Sequence, residues 1–350
     1  ETFPLGDSDG TLLAEGCNYP GIDSPSVLEN DCYLPHVAEG IDRETRNEFL
    51  CLSSDENGGT DLTESNSVFI HGIGLKAIDG AELAANGTAV VWSPRTNISL
   101  YGNTAPVTMY HTQGVLVGIG TDWTPTGSID IRRELSCAAQ LNENQFGGFF
   151  TDYQLWLMAT YNNALAMAVD DVIGQIGQGL IGDIAIYRAH DSGDYFKDII
   201  DGSPADTVLV LRAGEPLFGD ADLVAGIPSG QQGCEEISGG VCGAPKALCT
   251  QAELGKTLSQ LEVYNGNSYD LFFCSPPQDE PSCVPFRNPM PESYSYVATA
   301  YTGVSSEDDL DGDGIVNEED NCPTIFNPSR PVDDGAPGAH DAKSAGEVCE

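Results

Sequence analysis

The stretch GVLVGIGTDW, residues 114–123, decides the fold prediction. Gly114 to Ile119 form a nearly continuous apolar run, which is typical of a short parallel strand covered on both faces. The run stops at Asp122, which is followed by Trp123. Burying a carboxylate is costly unless the group is paired or binds a cation. The sequence therefore predicts a functional group at the carboxyl end of this strand.

Two similar apolar runs precede this strand, SVFIHGIGL at 67–75 and TAVVWSP at 88–94. They alternate with segments of helical character, AIDGAELAANG at 77–87 and TDYQLWLMATYNNALAMAVD at 151–170. This βαβ rhythm predicts an α/β fold with a parallel sheet or barrel. Two alternating runs, 182–187 and 206–212, follow with no helix expected between them, and they predict strands of a separate small β domain.

The predicted domains are a barrel segment at 1–170, the small β strands at 171–225, a cysteine-rich region at 226–304 and an acidic tail at 305–350. The third region holds Cys234, Cys242, Cys249, Cys274 and Cys283 among Gly, Pro and Ser residues, which predicts loops joined by disulfides.

The net charge of −40 makes nucleic acid an unfavourable partner, because each phosphate contact would form against the field of the whole molecule. The eleven cysteines include no Cys-x-x-Cys pair, which favours disulfides in an oxidising compartment over a zinc ribbon. The first residue is Glu1, so we expect that a leader has been removed. These features predict an exported protein, secreted or at the cell surface.

The acidic tail contains the motif DLDGDGIVNEED, in which Gly314 permits a tight turn. Closely spaced carboxylates repel one another without a cation, and hard oxygen ligands suit calcium. The motif therefore predicts a calcium loop. Its expected calcium-binding residues are Asp309, Asp311, Asp313, Ile315, Asn317 and Asp320.

With the following DNCPTIFNPSR, the tail resembles a thrombospondin type 3 repeat. The resemblance implies a disulfide between Cys322 and Cys349, each of which follows a loop. The second loop departs from the pattern, because Lys343, Ser344 and Ala345 stand where acidic ligands are expected.

Three of the predicted strands, taken in chain order, end at polar residues. His36 and Glu39 follow one apolar run, His71 ends the next, and Asp122 ends the last. The segment Ser93-Pro94-Arg95-Thr96-Asn97 lies between His71 and Asp122. This ordered set resembles the metal-dependent amidohydrolase family, on the branch of cytosine-deaminase-like and chlorohydrolase-like enzymes, over about residues 30–190. The implied fold is the C-terminal half of a (β/α)8 barrel, with catalytic groups where the strands end.

The resemblance also implies a role for each residue. His36, on the fifth barrel strand, and Asp122, on the eighth, would bind zinc or iron, which lowers the pKa of bound water. Asp122 would also accept a proton from that water. Glu39 would carry protons to the leaving nitrogen, which requires a carboxyl whose pKa is raised by a dry pocket. His71 would hydrogen-bond the attacked substrate atom or complete the metal shell. The substrate-pocket candidates are Ser93, Asn97 and Trp123.

The family's first barrel strand carries a His-x-His pair, and this sequence has none. An N-terminal segment or chain of the same precursor is therefore the expected partner, and a homo-oligomer is also possible. The expected activity is hydrolysis of a C–N or similar bond in a small cyclic or amide substrate. The small β domain resembles the family's β-sandwich. The alternative is a diverged, non-catalytic, calcium-binding surface or assembly protein on a relic barrel. Retention of Glu39 beside His36 favours the enzyme.

A competing motif, Gly6-Asp7-Ser8-Asp9-Gly10, matches the Gly-x-Ser-x-Gly nucleophile elbow. The strand before it is too short, no strong helix follows, and the flanking aspartates oppose a serine alkoxide. We therefore expect a turn at this position rather than a serine hydrolase site.

Overall fold

A computed structural model describes residues 3–6, 10–41, 43–190, 193–231, 233–266, 270–285, 306–308, 310, 316–318 and 323. The chain divides into two compact units, Glu1–Ala168 with Pro281–Glu350, and Val169–Glu280. Among the described residues, no helix has the length and apolar character that a membrane crossing requires. Ser8 of the competing serine motif lies outside the described residues.

The first unit is built on a four-stranded parallel sheet in the order β1-β2-β3-β4. Its strands are β1 His36–Val37, β2 Val68–His71, β3 Ala89–Trp92 and β4 Val117–Ile119. The helices between and after them are α1 Arg43–Leu52, α2 Ala77–Asn86, α3 Pro94–Tyr101, α4 Val107–Gln113, α5 Ile131–Asn144, α6 Asp152–Met158 and α7 Tyr161–Ala166.

Strand and helix thus alternate as the apolar pattern predicts, and the mixed α/β fold with a parallel sheet is confirmed. Strand β4 is shorter than expected, because Gly114 adopts a left-handed conformation with φ 87° and ends α4. The helical stretch at 151–170 is divided into α6 and α7 around Ala159 and Thr160.

The core of this unit lies between the sheet and its helices. Phe69 and Val90 of the central strands are fully buried, as are Leu83 of α2 and Leu135 of α5. Burial of such side chains, each contributing about 1.5–3 kcal/mol, is the main source of stability. It also explains the near-continuous apolar runs of the strands, since helices cover them.

The outer edge of β4 is contacted by two side-chain amides of α7. Asn162 Nδ2 donates to the carbonyl of Val117 over 2.8 Å, and Asn163 Nδ2 donates to that of Ile119 over 2.9 Å. A Cβ atom on Gly118 would lie 2.1 Å from Asn163 Oδ1. Glycine at 118 therefore allows α7 to approach the strand closely.

The second unit contains an antiparallel sheet in the order β5-β6-β7-β9-β8. Its strands are β5 Ile184–Tyr187, β6 Thr207–Arg212, β7 Glu215–Asp220, β8 Glu235–Glu236 and β9 Lys246–Leu248. Its helices are α8 Tyr195–Asp201, α9 Ala221–Gly226, α10 Thr250–Leu254 and α11 Leu258–Asn265.

The expectation of no helix between the first two of these strands was wrong. Helix α8 lies between β5 and β6. Asp194 caps it by accepting hydrogen bonds from the backbone amides of Phe196 and Lys197, and Ile200 is buried. The sequence feature that indicates this helix is the Asp at its N-cap position, since the helix is too short for a long apolar periodicity.

Four disulfides join described cysteines. They are Cys17–Cys51, Cys137–Cys283, Cys234–Cys249 and Cys242–Cys274. Cys32 is a free thiol, whose Sγ donates to the carbonyl of Ala166 over 3.3 Å. The sequence pattern places Cys283 in the cysteine-rich region. In the structure Cys283 bonds to Cys137 of α5, and both cysteines belong to the first unit. Cys322 and Cys349 lie outside the described residues, so their bond stays a prediction.

Candidate metal and catalytic site

Three strand ends bring polar side chains to one edge of the parallel sheet. Glu39 follows β1 by two residues, His71 is the last residue of β2, and Asp122 follows β4 by three residues. Because all four strands are parallel, their carboxyl ends lie on the same edge. This is the edge where the sequence predicted the functional groups.

The backbone has an unusual conformation at each of these strand ends. Ala38, His71 and Asp122 have positive φ values of 54°, 79° and 55°. Such values cost energy for residues other than glycine and persist only where the surrounding structure enforces them. The strained turns aim Glu39, His71 and Asp122 toward a common point.

The side chains of Glu39, His71 and Asp122 form the site, which we call the three-residue cluster. His71 Nε2 lies 3.4 Å from Glu39 Oε2 and 3.9 Å from Asp122 Oδ2. One ligand atom from each residue lies within 4.8 Å of the others. The His71 side chain is fully buried, whereas those of Glu39 and Asp122 retain 25% and 18% exposure. Among the described residues, the cluster is therefore reachable from solvent on its carboxylate side.

Burial dominates the electrostatics of the cluster. It raises the pKa of Glu39, and the Asp122 charge adds to this rise, while a hydrogen bond from the Tyr101 hydroxyl and the charge of His36 oppose it. Burial also lowers the pKa of His71 to about 3, with a smaller contribution from His36. His71 is therefore a neutral imidazole at physiological pH. A raised pKa is the property that a proton-carrying carboxyl requires near neutral pH, and that role of Glu39 stays a prediction.

His36 lies beside the cluster but is not a member of it. Its ring centroid is 5.4 Å from that of His71, and its other face stacks on Phe3 with centroids 4.4 Å apart. Of the predicted metal ligands, the structure brings His71 and Asp122 together, with Glu39 rather than His36 as the third oxygen or nitrogen donor. A ligand role for His36 stays a prediction.

The three substrate-pocket candidates have different environments. Asn97 is fully buried, and its amide lies 3.3 Å from His71 Nδ1. Ser93 is 1% exposed at the start of α3, and its carbonyl accepts the backbone amide of Asn97. Trp123 is 66% exposed directly after Asp122. Of the three, Trp123 is the side chain that solvent, and therefore a substrate, can reach.

The residues of the cluster fit a transition metal. His71 Nε2 is buried, and the described part of the chain offers it no hydrogen-bond partner. A neutral imidazole with two nearby carboxylates supplies the nitrogen and oxygen donors that zinc and iron accept. Zinc in a catalytic site takes about three protein ligands and keeps one position open. The cluster could hold such an ion, and the His36 ring lies beside it, with its centroid 5.4 Å from that of His71.

Sequence reasoning missed a buried network behind the cluster. Glu134 of α5 is fully buried and accepts a hydrogen bond from the backbone amide of Arg95 over 2.9 Å. The Arg95 side chain donates to Ser128 Oγ over 2.6 Å and to the carbonyl of Pro281. Burial raises the pKa of Glu134 to about 7, although Ser128 and Arg95 oppose the rise. The sequence could have indicated that Glu134 is buried, because its spacing puts it on the same helix face as Ala138 and Leu141, which are buried.

The calcium loop falls mostly outside the described residues. This applies to Asp309, Asp311, Asp313, Ile315 and Asp320. Asn317 is described, and its Oδ1 accepts the backbone amide of Leu310 over 2.9 Å while its Nδ2 donates to the carbonyl of Glu307 over 2.9 Å. The calcium site and the thrombospondin-like tail therefore stay predictions.

Sequence comparison finds similarity to curated proteins that are named as deaminases. A 5-methylthioadenosine/S-adenosylhomocysteine deaminase from Caldicellulosiruptor saccharolyticus is 28% identical over 226 residues, covering 59% of this chain and 52% of the relative. The Thermococcus kodakarensis protein of the same name is 32% identical over 125 residues, covering 35% of this chain and 29% of the relative. The chain thus spans about half the length, or less, of these curated relatives.

Solved structures give weaker similarity. A zinc-bound adenosine deaminase from Xanthomonas campestris superimposes with a TM-score of 0.45 at 20% identity, over 53% of this chain and 45% of that chain. Atrazine chlorohydrolase from Arthrobacter aurescens TC1 complexed with zinc gives a TM-score of 0.46 at 21% identity, over 58% and 48%. The family assignment rests on sequence, since the profile of the amidohydrolase family matches residues 32–222, more than half of the chain. The chain belongs to the amidohydrolase family.

Proposed function

We propose that this chain belongs to a metal-dependent hydrolase of the deaminase type, and that the carboxyl edge of its parallel sheet forms part of the active site. The reaction would be hydrolysis of a C–N or similar bond in a small cyclic or amide substrate. The observation that carries the proposal is the three-residue cluster, in which Glu39, His71 and Asp122 meet within 4.8 Å at the carboxyl edge of the sheet. Membership of the amidohydrolase family supports the same reaction class.

Each residue of the cluster has a chemical role that its environment supports. Glu39 has a raised pKa, so its carboxyl can hold a proton closer to neutral pH and deliver it to a leaving nitrogen. Asp122 is partly exposed and can accept a proton from an attacking water. His71 is neutral and can act through Nε2. A bound zinc or iron ion would supply a Lewis acid that makes water acidic enough to attack near neutral pH.

We place the chain in the C-terminal half of the barrel, completed by an N-terminal segment or chain that carries His-x-His. Among the described strands, β1 and β4 each have one neighbour in the sheet, which leaves an outer edge on both. A strand that pairs with β4 must replace the hydrogen bonds from Asn162 and Asn163. The added His-x-His pair would supply two further nitrogen ligands for the metal.

The substrate we propose is a purine-like ring with an exocyclic amino group. The curated relatives are named as 5-methylthioadenosine/S-adenosylhomocysteine deaminases. Trp123 adjoins Asp122 and is largely exposed, so its indole can stack on a flat ring.

We further propose that the protein is exported and that its tail binds calcium. Four disulfides between described cysteines support an oxidising compartment. The net charge of −40 supports cations rather than nucleic acid as partners.

The test is ammonia release from 5-methylthioadenosine and S-adenosylhomocysteine by the zinc-loaded native protein. We expect turnover with at least one of them, and we expect Asp122→Ala to abolish it while assembly is unchanged. Glu64→Gln is the control, because Glu64 is an exposed acidic residue of the same unit. A filled metal site without turnover on these or other aminopurines would favour the alternative, a non-catalytic calcium-binding surface or assembly protein.

A further inference from the structure

The loop that follows β4, residues 121–128, folds back onto its own start, and we call it the Asp122 loop. The backbone amide of Gly127 donates to the carbonyl of Trp123 over 2.7 Å. A Cβ atom on Gly127 would lie 1.9 Å from the carbonyl oxygen of Thr121, the residue before Asp122. The end of the loop therefore packs directly on the backbone that leads into Asp122.

Asp122 needs support from the rest of the loop. Its φ of 55° is unfavourable for a residue with a side chain, and it persists only where the surrounding structure enforces it. In this conformation Asp122 Oδ2 lies 3.9 Å from His71 Nε2. An open loop would allow the Asp122 backbone to relax, and the carboxylate would then leave this position.

Arg95 of α3 fixes the end of the Asp122 loop. Its side chain is buried, and its Nε donates to the hydroxyl of Ser128 over 2.6 Å. The same guanidinium donates to the carbonyl of Arg133 over 3.2 Å and to that of Pro281. A guanidinium carries five N–H donors in a rigid, planar fork. One side chain therefore joins the loop, α5 and a distant segment of the chain.

The groups around Arg95 are themselves held in place. The Arg95 backbone amide donates to the Glu134 carboxylate over 2.9 Å, and the Ser128 hydroxyl hydrogen-bonds the same carboxyl. The segment that provides the third acceptor is tied to α5 by the disulfide Cys137–Cys283. A group that positions a site must be locked by such packing and hydrogen bonds, and Arg95 meets this condition.

Fold stability alone is a weak reason for a buried arginine at this position. Removing a guanidinium from water is costly, and an apolar side chain of similar volume often stabilises a protein as well or better. An apolar side chain lacks the directional hydrogen bond that Arg95 makes to Ser128 of the loop. The contact with the loop is therefore what distinguishes arginine here.

We propose that Arg95 is a positioning residue of the active site, which holds the Asp122 loop closed and so keeps the Asp122 carboxylate beside His71. This inference rests on the proposed hydrolase function. It deepens that function by naming a residue that acts through Ser128 and the loop backbone rather than on the substrate.

The first test is hydrogen exchange of the loop in the native protein. Ser128→Ala removes the hydroxyl that links Arg95 to the loop. The variant should still fold, because the hydroxyls of Thr96 and Thr126 lie 3.2 Å apart and keep a second contact between α3 and the loop. We expect the backbone amides of Thr126 and Gly127 to exchange about tenfold faster, as for the loss of one hydrogen bond to a charged group.

The second test is steady-state kinetics with an aminopurine substrate. Ser128→Ala should lower kcat about 10–100-fold with little change in KM, because a small displacement of a reacting group slows the chemical step. Gly127→Ala should have the same two effects, since its methyl group forces the loop away from Thr121. Arg95→Lys keeps the charge but loses the planar fork, and it should behave like Ser128→Ala.

Ser67→Ala is the matched control. Ser67 is a fully buried serine of the same unit, and its hydroxyl donates to the carbonyl of Leu62 over 2.7 Å. It precedes β2 and therefore lies at the edge of the sheet opposite the three-residue cluster. Its replacement should lower stability without changing exchange in the Asp122 loop or kcat, which separates positioning from a general loss of stability.

Two results would overturn the inference alone. One is equal exchange of the Thr126 and Gly127 amides in the wild type and in Ser128→Ala. The other is faster exchange in Ser128→Ala with an unchanged kcat. A wild-type protein without turnover on any aminopurine would instead contradict the proposed function. Loop exchange in Ser128→Ala would then still decide whether Arg95 holds the loop, so the two failures are distinguishable.

Discussion

A carboxylate oxygen of Glu134 lies 2.9 Å from the backbone amide nitrogen of Arg95, so a buried acid on α5 fixes the first turn of α3. The same helix carries Asn97, which contacts His71 of the three-residue cluster. A residue outside the cluster thus supports the geometry of its central imidazole. Because burial raises the pKa of Glu134 to about 7, this support also depends on pH.

The stability of the protein should therefore fall as the pH rises toward 8. The folded pKa of Glu134 is about 7, above the ordinary value of 4.5, so the native state binds the proton more tightly than the unfolded state. The stabilising contribution is complete below about pH 4.5 and is lost as the pH rises through 7, up to about 3 kcal/mol.

Glu134→Gln should remove this dependence, because glutamine does not titrate and keeps an oxygen for the Arg95 amide. The measurement is the free energy of unfolding between pH 5 and 8 for both proteins. Parallel curves for the wild type and the variant would show that Glu134 does not titrate in this range.

Glu39→Gln should lower kcat about 10²–10⁴-fold, the usual contribution of a general acid–base group, with a smaller effect on KM. The amide cannot carry the proton to the leaving nitrogen. Folding should be preserved, because the raised pKa of Glu39 shows that its site disfavours the charged form. Steady-state kinetics beside the Glu64→Gln control test this, and near-normal turnover of Glu39→Gln would exclude Glu39 as the proton carrier.

Tyr101→Phe should move the titration of Glu39 to higher pH. The Tyr101 hydroxyl donates a hydrogen bond that stabilises the Glu39 carboxylate and so lowers its pKa. Without the hydroxyl, Glu39 stays protonated to a higher pH, and the pH–rate profile of kcat should shift in the same direction. A profile that stays in place, or shifts to lower pH, would contradict this contact.

Gly118→Ala should destabilise the first unit by about 1–3 kcal/mol. The new Cβ would lie 2.1 Å from Asn163 Oδ1, so the Asn163 side chain must leave the carbonyl of Ile119. Gly21→Ala is the control, because a Cβ there meets no atom within 4 Å. Thermal unfolding of the two variants tests the packing of α7 on β4, and equal melting temperatures would argue against it.

Thiol counting tests the disulfide assignment. Four disulfides and the free Cys32 account for nine of the eleven cysteines. If Cys322 bonds to Cys349, the denatured, non-reduced protein should react with one equivalent of a thiol reagent. Three equivalents would show that this bond is absent, which would weaken the thrombospondin-like description of the tail.

Much of the parallel sheet could be predicted from sequence because its strands are buried on both faces. The runs around Phe69, Val90 and Val117 become β2, β3 and β4. The carboxyl ends of parallel strands lie at one edge of the sheet, so polar residues that end such runs lie near one another. For this reason Glu39, His71 and Asp122 could be predicted as site residues. Helix α8 was missed because it is seven residues long, and its start depends on the Asp194 cap.

Other features could not be predicted because they depend on contacts between distant parts of the chain. Cys137 and Cys283 are 146 residues apart, and spacing does not determine such a pairing. Tyr101, the last residue of α3, hydrogen-bonds Glu39, and one sequence gives no signal for that contact. The sequence motif named Asn97, but its contact with His71 also depends on the fold.

We propose that the three-residue cluster holds a catalytic transition metal. The most direct test of this proposal is elemental analysis of the native protein for zinc, iron and calcium, together with intact mass under non-reducing and reducing conditions. We expect about one zinc or iron ion per complex, which Asp122→Ala should lose, and a second polypeptide or preceding segment that contains His-x-His. Calcium without any transition metal in a chain that has no such partner would contradict it.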